Sequence, residues 1–217
     1  MPAPFLSNKG YPMNIPTNIP SVEQIIQISG VHPVRVKNIY LFGSQVYGTA
    51  RPDSDFDFIL VGSALNAKEE KIAGNINVHI HTTDIFKDDL FRHNIHNLEC
   101  YFAPDWAKLQ VKEPFDKFQL NTNKVKQSVL SESFSSWKKA KMKIHEGDIH
   151  KGIKSLWHSI RMLMFGIDIC MYGKITEWDR ANSMWRVLDS CDQYEWGYFK
   201  KEYFSLKLLL EKQLKAS

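Results

Sequence analysis

The sequence predicts a mixed α/β (α+β) domain followed by an α-helical, bundle-like domain. Three short apolar runs bounded by turn residues read as strands, at 36–42, 55–62 and 76–82. From about residue 125 onward, apolar residues recur instead at helical spacing. The pattern therefore changes character near residue 120. We expect an arm at 1–20, a mixed domain at 21–120 and a helical domain at 121–217.

Composition places the chain among ordinary globular proteins. Of its 217 residues, 43% are hydrophobic and 24% are charged, which is too apolar for a disordered chain. No run approaches the roughly 20 apolar residues of a membrane-spanning helix. The first twenty residues hold no continuous apolar stretch, so a cytoplasmic protein without a secretory signal is expected. The three cysteines are far apart, which favours neither a disulfide framework nor a zinc cluster.

Local signals predict the remaining elements of the mixed domain. Ser21 and Gln24 form the pattern of a capping box, so a helix should run from there to Ile28. A short helical turn should follow the first strand at 45–50, and helical patterns cover 83–102. The polar segment 65–73 is interpreted as a loop or a short helix. The segment 106–111 should return to the sheet as a last strand.

The second half contains long helical patterns. The segment 151–172 is apolar at helical spacing and ends at Gly173, a favoured helix stop. A last helix is expected at about 195–215. Lysines are dense between Lys138 and Lys154. They suit either a solvated helix face or contacts with nucleic acid, because phosphate contacts mainly need Lys and Arg.

Most of the chemistry lies in the stretch 41–62, LFGSQVYGTARPDSDFDFILVG. Residues two apart in a strand share a face, so Asp55 and Asp57 should lie side by side, about 6.6 Å apart at the backbone. Paired carboxylates repel unless a cation lies between them, and hard oxygen ligands suit Mg²⁺ or Mn²⁺. Gly43 and Ser44 precede a helical turn, where backbone and hydroxyl groups can hold a phosphate.

These residues resemble a known signature. Gly43-Ser44, Tyr47-Gly48, Arg51, Asp53-Ser54-Asp55 and Asp57 are similar to the motif of the DNA polymerase β-type nucleotidyltransferase superfamily, in particular its minimal stand-alone members. The resemblance implies a mixed sheet with flanking helices and transfer of a nucleoside monophosphate from an NTP, with release of pyrophosphate. It implies metal binding by Asp55 and Asp57. It also implies that Gly43, Ser44, Tyr47 and Arg51 bind the nucleotide.

One position departs from this signature. The superfamily usually supplies a third carboxylate from a neighbouring strand, where this chain has Asn77. An amide oxygen carries no charge and cannot act as a base. His79 and His81 share the face of Asn77, and an imidazole can accept a proton near neutral pH. Either histidine is therefore a candidate base. Asp55, Asp57, Asn77 and His79 are the expected catalytic residues.

Two classes of function follow from the sequence. The first is a Mg²⁺- or Mn²⁺-dependent nucleotidyltransferase whose acceptor is RNA, a protein side chain, a small molecule or another nucleotide. The second is a catalytically impaired module that binds NTP or nucleic acid, or an antitoxin-like partner protein. Asn77 supports the second class, whereas the retained Asp55 and Asp57 support the first.

Overall fold

The computed structural model describes residues 15–63 and 69–217. These residues form two compact units, one within Pro12–Gln119 and the other containing Leu120–Ser217. Most of the predicted arm at 1–20 lies outside the described residues, which include only its last six positions. Each unit is described below by itself.

The first unit is built on a five-stranded mixed sheet. The strands are β1 (Val36–Phe42), β2 (Phe56–Gly62), β3 (Glu69–Ala73), β4 (Ile76–Thr82) and β5 (Lys108–Val111), in the spatial order β3-β4-β2-β1-β5. The central pair β2 and β4 is parallel, and every other neighbouring pair is antiparallel. The predicted strands at 36–42 and 76–82 are confirmed to the residue. The segments 55–62 and 106–111 contain β2 and β5, as predicted.

One prediction for this sheet is wrong. The segment 65–73 was expected to be a loop or a short helix, but its described part forms β3. Every residue of β3 is exposed, because this edge strand pairs only with β4. An edge strand whose two faces are both exposed to solvent needs no alternation of apolar and polar residues, so its sequence lacks the usual strand pattern. The usable signal was the Gly74-Asn75 pair, which forms a two-residue hairpin turn with Gly74 at φ 60°.

Helices cover the sheet. They are α1 (Val22–Ser29), α2 (Ser44–Tyr47), α3 (Thr83–Phe91) and α4 (Ile95–Tyr101). The capping box of α1 is confirmed: the Gln24 N–H donates to Ser21 Oγ at 3.3 Å and the Ser21 N–H donates to Gln24 Oε1 at 2.9 Å. The helical pattern at 83–102 is broken at 92–94, where His93 has a φ of 62°.

The second unit consists of helices. They are α5 (Thr122–His145), α6 (Ile149–Tyr172), α7 (Asn182–Asp189) and α8 (Trp196–Ala216). Helix α6 packs against the other three, and most of its residues are buried. A Cβ on Gly166 would lie 2.9 Å from a methyl group of Val129, so this glycine permits the close approach of α5. Gly173 ends α6 with a φ of 70°, as predicted.

Polar groups also hold this unit together. Asp168 is fully buried and accepts hydrogen bonds from the Thr176 N–H at 3.0 Å and from Arg180 Nη1 at 2.7 Å. These bonds fix the segment that follows α6, because a buried carboxylate is stable only when it is paired. No helix in the described part of the chain is long and apolar enough to cross a membrane.

Candidate nucleotide site

The candidate site lies at the start of the two central strands. Strand register places Asp57 opposite Phe42 of β1 on one side and opposite Asn77 of β4 on the other. Asp55 lies just before β2 and is exposed, whereas Asp57 is half-buried. Side chains of paired residues share a face of the sheet. The alternation in the sequence therefore brings Asp55, Asp57 and Asn77 together.

Asn77 bridges the two carboxylates. Its amide Nδ2 donates to Asp57 Oδ1 at 3.0 Å and lies 3.5 Å from Asp55 Oδ2. Two neighbouring carboxylates repel each other, and an N–H group with a partial positive charge between them reduces that repulsion. The position that the sequence pattern assigned to a missing third acid is thus filled by a neutral donor.

Gly43 borders the site on the side of β1, opposite the side of Asn77. This residue has φ 78° and ψ −153°, a backbone conformation that favours glycine. A Cβ at Gly43 would lie 2.8 Å from Asp57 Oδ2, so any side chain here would have to displace that carboxylate. The backbone of the turn therefore runs directly beside a carboxylate of the pair. The backbone angles favour glycine here, and the absence of a side chain leaves the Asp57 carboxylate in place.

Ser44 opens the short helix α2 directly after this turn. The Gly43 carbonyl accepts hydrogen bonds from the N–H groups of Val46 at 3.0 Å and Tyr47 at 3.1 Å. Ser44 is half-buried, and its hydroxyl makes none of the hydrogen bonds found among residues 15–63 and 69–217. The hydroxyl is thus available to a ligand, and its predicted contact with a phosphate stays a prediction.

Gln45 is a site residue that the sequence analysis missed. Its side chain is only 9% exposed. Its Nε2 donates to the carbonyl oxygens of Ser54 at 3.5 Å and Asp55 at 3.3 Å. Gln45 therefore ties the helical turn to the loop that carries Asp55. A glutamine in a short helix gives no signal of such a contact, because its partners are backbone groups of a loop.

Tyr47 does not face the site as the sequence led us to expect. Its side chain is 3% exposed, and its phenol donates a hydrogen bond to Glu99 Oε2 of α4, a carboxylate that is also buried. The aromatic ring thus belongs to the core beneath α2. The side chain anchors the turn from the inside, and the resemblance alone could not reveal this orientation.

Arg51 lies in the exposed turn before Asp55. Its N–H donates to Ser54 Oγ at 2.8 Å, and its carbonyl accepts from the Ser54 N–H at 3.0 Å. Asp53 is exposed in the same turn, in agreement with its interpretation as a turn residue. The reciprocal bonds between Arg51 and Ser54 define the path of the chain into Asp55.

The two histidines of β4 have different surroundings. His79 is half-buried, lies 5.5 Å from the ring of Phe42 in an edge-on contact, and has Nε2 3.6 Å from Glu70 Oε1 on β3. His81 instead contacts the buried Phe86 of α3 at 6.3 Å. Since Phe42 is the strand partner of Asp57, His79 lies next to the site, while His81 packs under a helix. Sequence alternation could not separate them.

The far end of the same face is closed. Phe86 stacks on Tyr40 at 5.7 Å, and Asn38 Nδ2 donates to the Tyr40 hydroxyl at 3.0 Å. Burial raises the pKa of the Tyr40 phenol well above its ordinary value, so this group stays neutral. The open, charged part of the face is thus the end that carries Asp55 and Asp57.

The lysine-rich segment 138–154 spans the end of α5 and the start of α6. Lys138, Lys139 and Lys141 are exposed. Lys143 donates to Glu146 at 2.7 Å, and this hydrogen bond raises the pKa of its ammonium group. Lys151 lies 3.1 Å from Asp148. Part of the positive charge is therefore neutralised locally.

Other residues of the second unit have packing roles. His158 lies against Arg161, with 3.2 Å between Nδ1 and Nη2. The tryptophans Trp157, Trp178 and Trp196 are buried. They are thus core residues and offer no exposed ring for stacking a base.

A mixed sheet with a glycine turn beside paired carboxylates is an arrangement that suits nucleotide phosphates. Comparison with known families agrees, since residues 23–121 match the family model described as "Nucleotidyltransferase domain". The chain therefore contains a nucleotidyltransferase domain of the DNA polymerase β type, and the resemblance noted in the sequence is confirmed.

Two solved structures are similar to this chain over 90% of its residues. One is spectinomycin adenyltransferase AAD(9) from Enterococcus faecialis, solved with ATP and spectinomycin, at 16% identity and a TM-score of 0.49, covering 90% of this chain and all of that one. The other is a nucleotidyltransferase-like protein from Exiguobacterium sibiricum 255-15, at 9% identity and a TM-score of 0.34, covering 90% and 74%. No curated protein matches the chain.

Proposed function

We propose that this protein transfers a nucleoside monophosphate from an NTP to a hydroxyl group of an acceptor. In that reaction the acceptor oxygen forms a bond to the α-phosphorus, the bond from that phosphorus to the bridging oxygen breaks, and pyrophosphate leaves. The observation that carries the proposal is the approach of Gly43 to Asp57, because it sets the turn that we propose to hold phosphate beside a carboxylate pair. The proposed domain comprises residues 21–120, with a separate helical domain at 121–217.

The residues fit a divalent cation. Asp55 and Asp57 supply anionic oxygen, the donor that Mg²⁺ and Mn²⁺ prefer, and Asp57 adjoins the turn proposed to hold the phosphates. Among the described residues there is no group of three or more His, Cys, Asp and Glu side chains that could hold a metal, so the nucleotide would complete the coordination. When bound, the cation neutralises phosphate charge during transfer.

The chain's own residues supply binding and orientation. Gly43 and Ser44 hold the triphosphate, with the Ser44 hydroxyl as donor. Arg51, an exposed cation in the turn before Asp55, contacts the nucleotide. Tyr47 contributes by anchoring α2 through Glu99 rather than by touching the ligand. Gln45 fixes the backbone of Asp55.

The proton of the acceptor hydroxyl needs a receiver, and we assign it to His79. Asn77 cannot accept it, since an amide is not a base. His79 is partly exposed and touches Phe42, the strand partner of Asp57.

The acceptor itself is a hydroxyl-bearing RNA, protein or small molecule. Exposed Lys138, Lys139 and Lys141 favour an anionic acceptor. We expect this protein to act in the cytoplasm, where the proposed substrates NTP and Mg²⁺ are available.

A second candidate is a module that binds NTP without transferring it. The amide of Asn77, which donates to Asp57 where the superfamily usually has an acid, favours it. This candidate shares the nucleotide site and differs only in the chemical step.

Titration of the protein with each NTP and Mg²⁺ tests both candidates. Calorimetry should show Mg²⁺-dependent NTP binding, and a pyrophosphate assay should show release in the presence of a mixed pool of acceptors. Asp57→Asn and Asp55→Asn should abolish binding while the protein stays folded by circular dichroism. Binding without pyrophosphate release would favour the module. Undiminished binding in both variants would overturn the site assignment.

A further inference from the structure

We infer that Asn77 limits this site to a single divalent cation, the one that accompanies the nucleotide. The inference rests on the proposed function, and it specifies the metal stoichiometry of the same site. It concerns how many cations the residues of this chain can hold.

One oxygen of Asp57 already has a hydrogen-bond partner in the protein, and the other lies close to the backbone of Gly43. Oδ1 accepts the Asn77 amide at 3.0 Å. Oδ2 faces Gly43, so closely that a Cβ there would lie 2.8 Å away. In a two-metal site the cations lie about 3.5–4 Å apart, and shared carboxylates contact both of them. A second cation that approached Oδ1 from the β4 side of Asp57 would have to displace the N–H group of Asn77.

The charge of the site points to the same conclusion. The carboxylates of Asp55 and Asp57 lie side by side here, and Asn77, the residue that β4 contributes, is neutral. The next acidic side chain on this face is Glu70, which lies opposite His79 and 3.6 Å from its ring. Asp53 lies in the exposed turn. A second divalent cation would therefore lack an anionic protein ligand of its own, and dehydration of Mg²⁺ is favourable only with such ligands.

In the free protein, the Asn77 amide takes the part that a bound cation plays between two neighbouring carboxylates. It lies within 3.5 Å of both carboxylates and reduces their repulsion. An aspartate at this position would reverse that effect. It would add a third negative charge and remove the donor, and both changes favour a second cation.

Counting bound Mn²⁺ by electron paramagnetic resonance tests the inference. The full-length protein is titrated with MnCl₂ while saturated with α,β-methylene-ATP, an analogue that resists transfer. We expect one Mn²⁺ per chain for the wild type and two for Asn77→Asp. Asn77→Ala, which removes the amide without adding charge, is the matched control and should retain one Mn²⁺. Circular dichroism checks that each variant is folded.

Three results would overturn the inference. Two Mn²⁺ per wild-type chain with the analogue bound would show that the amide does not restrict the site, while leaving the proposed function intact. One Mn²⁺ in folded Asn77→Asp would show that another feature sets the limit. Failure of the wild type to bind the analogue with any Mn²⁺ would reject the proposed function together with this inference. Because the wild-type count alone can refute the idea, it stays testable even if Asn77→Asp does not fold.

Discussion

Gly43 and Asp57 lie so close together that the Cα of one occupies the space beside the carboxylate of the other. A Cβ built on Gly43 would meet Asp57 Oδ2 at 2.8 Å. Gly43 directly follows β1, and Asp57 lies in β2, the next strand along the chain. The register of β1 and β2 pairs Phe42 with Asp57. Antiparallel pairing of these strands thus sets the turn proposed to bind phosphate against the carboxylate proposed to bind metal.

Substitution of Gly43 should therefore damage the site more than the fold. Gly43→Ala must adopt a backbone conformation that costs about 1–3 kcal/mol outside glycine, and its methyl group must displace the Asp57 carboxylate. We expect Mg-NTP affinity to fall about tenfold or more, a change of ~1.4 kcal/mol or greater. Calorimetric titration with Mg-ATP measures it.

Gly30 provides the matched control. It has φ 67°, and a Cβ there would have no neighbouring atom within 4 Å. Gly30→Ala should lower the melting temperature slightly through its backbone conformation and leave Mg-ATP affinity unchanged. Equal affinities in the two variants would mean that the approach to Asp57 plays no part in binding.

Ser44→Ala tests the hydroxyl at the start of α2. A charge-assisted hydrogen bond to a phosphate contributes about 1.5–3 kcal/mol, and part of it is replaced by water when the group is lost. We expect triphosphate binding to weaken by about 1–2 kcal/mol with an unchanged melting temperature. A collapsed melting transition with unchanged affinity would identify Ser44 as a structural residue of the turn.

Much of the fold could be predicted because its central elements carry regular patterns. Strand β4 alternates strictly over Ile76–Thr82, and its prediction is confirmed to the residue. Strand β3 lacked such a pattern, because both of its faces meet solvent. The break between α3 and α4 was also missed. It depends on His93 in a left-handed conformation, which few residues other than glycine adopt, and no glycine marks this position.

The site was predictable only where strand geometry determines it. Alternation placed Asp55 and Asp57 on one face, and the resemblance identified Asn77 as the residue beside them; the structure has it bridging both. The direction of Tyr47 and the tether from Gln45 depend on partners distant in sequence or on backbone carbonyls. Such contacts have no periodicity, so sequence patterns do not reveal them.

Asn38 is expected to matter for stability and not for ligand binding. This fully buried side chain accepts hydrogen bonds from the N–H groups of Lys112 at 3.1 Å and Glu113 at 3.0 Å and donates to the Glu113 carbonyl at 2.9 Å. Asn38→Ala leaves these backbone groups without their partner, at about 2–4 kcal/mol. Chemical denaturation measures the loss.

Gln110→Ala on strand β5 serves as the comparison for Asn38→Ala. It removes two longer bonds, both 3.3 Å, from a half-buried glutamine. A smaller loss, about 1 kcal/mol, is expected. If the two variants proved equally stable, the buried network of Asn38 would not hold the 112–113 segment in place.

Gln45→Ala should loosen Asp55 without unfolding the domain. The side chain donates to the carbonyls of Ser54 and Asp55, and its removal frees the loop that presents the exposed carboxylate. We expect Mg-ATP affinity to fall about three- to tenfold, which corresponds to the ~1 kcal/mol of a typical hydrogen bond. Gln27→Ala, at an exposed position of α1, should have no effect on affinity. A loss of the same size in both variants would contradict a specific role for the tether.

Tyr47→Phe separates anchoring from ligand contact. The variant keeps the buried ring and removes only the hydroxyl that donates to Glu99. A hydrogen bond to a buried carboxylate contributes about 1.5–3 kcal/mol, so the free energy of unfolding should fall by that order. Without ligand, the melting temperature should drop. Mg-ATP affinity should change less than twofold, because the phenol points into the core. Glu99→Gln retains an acceptor for the phenol and should cost less stability than Tyr47→Phe. A large loss of nucleotide affinity in Tyr47→Phe at unchanged stability would instead place the hydroxyl in contact with the ligand.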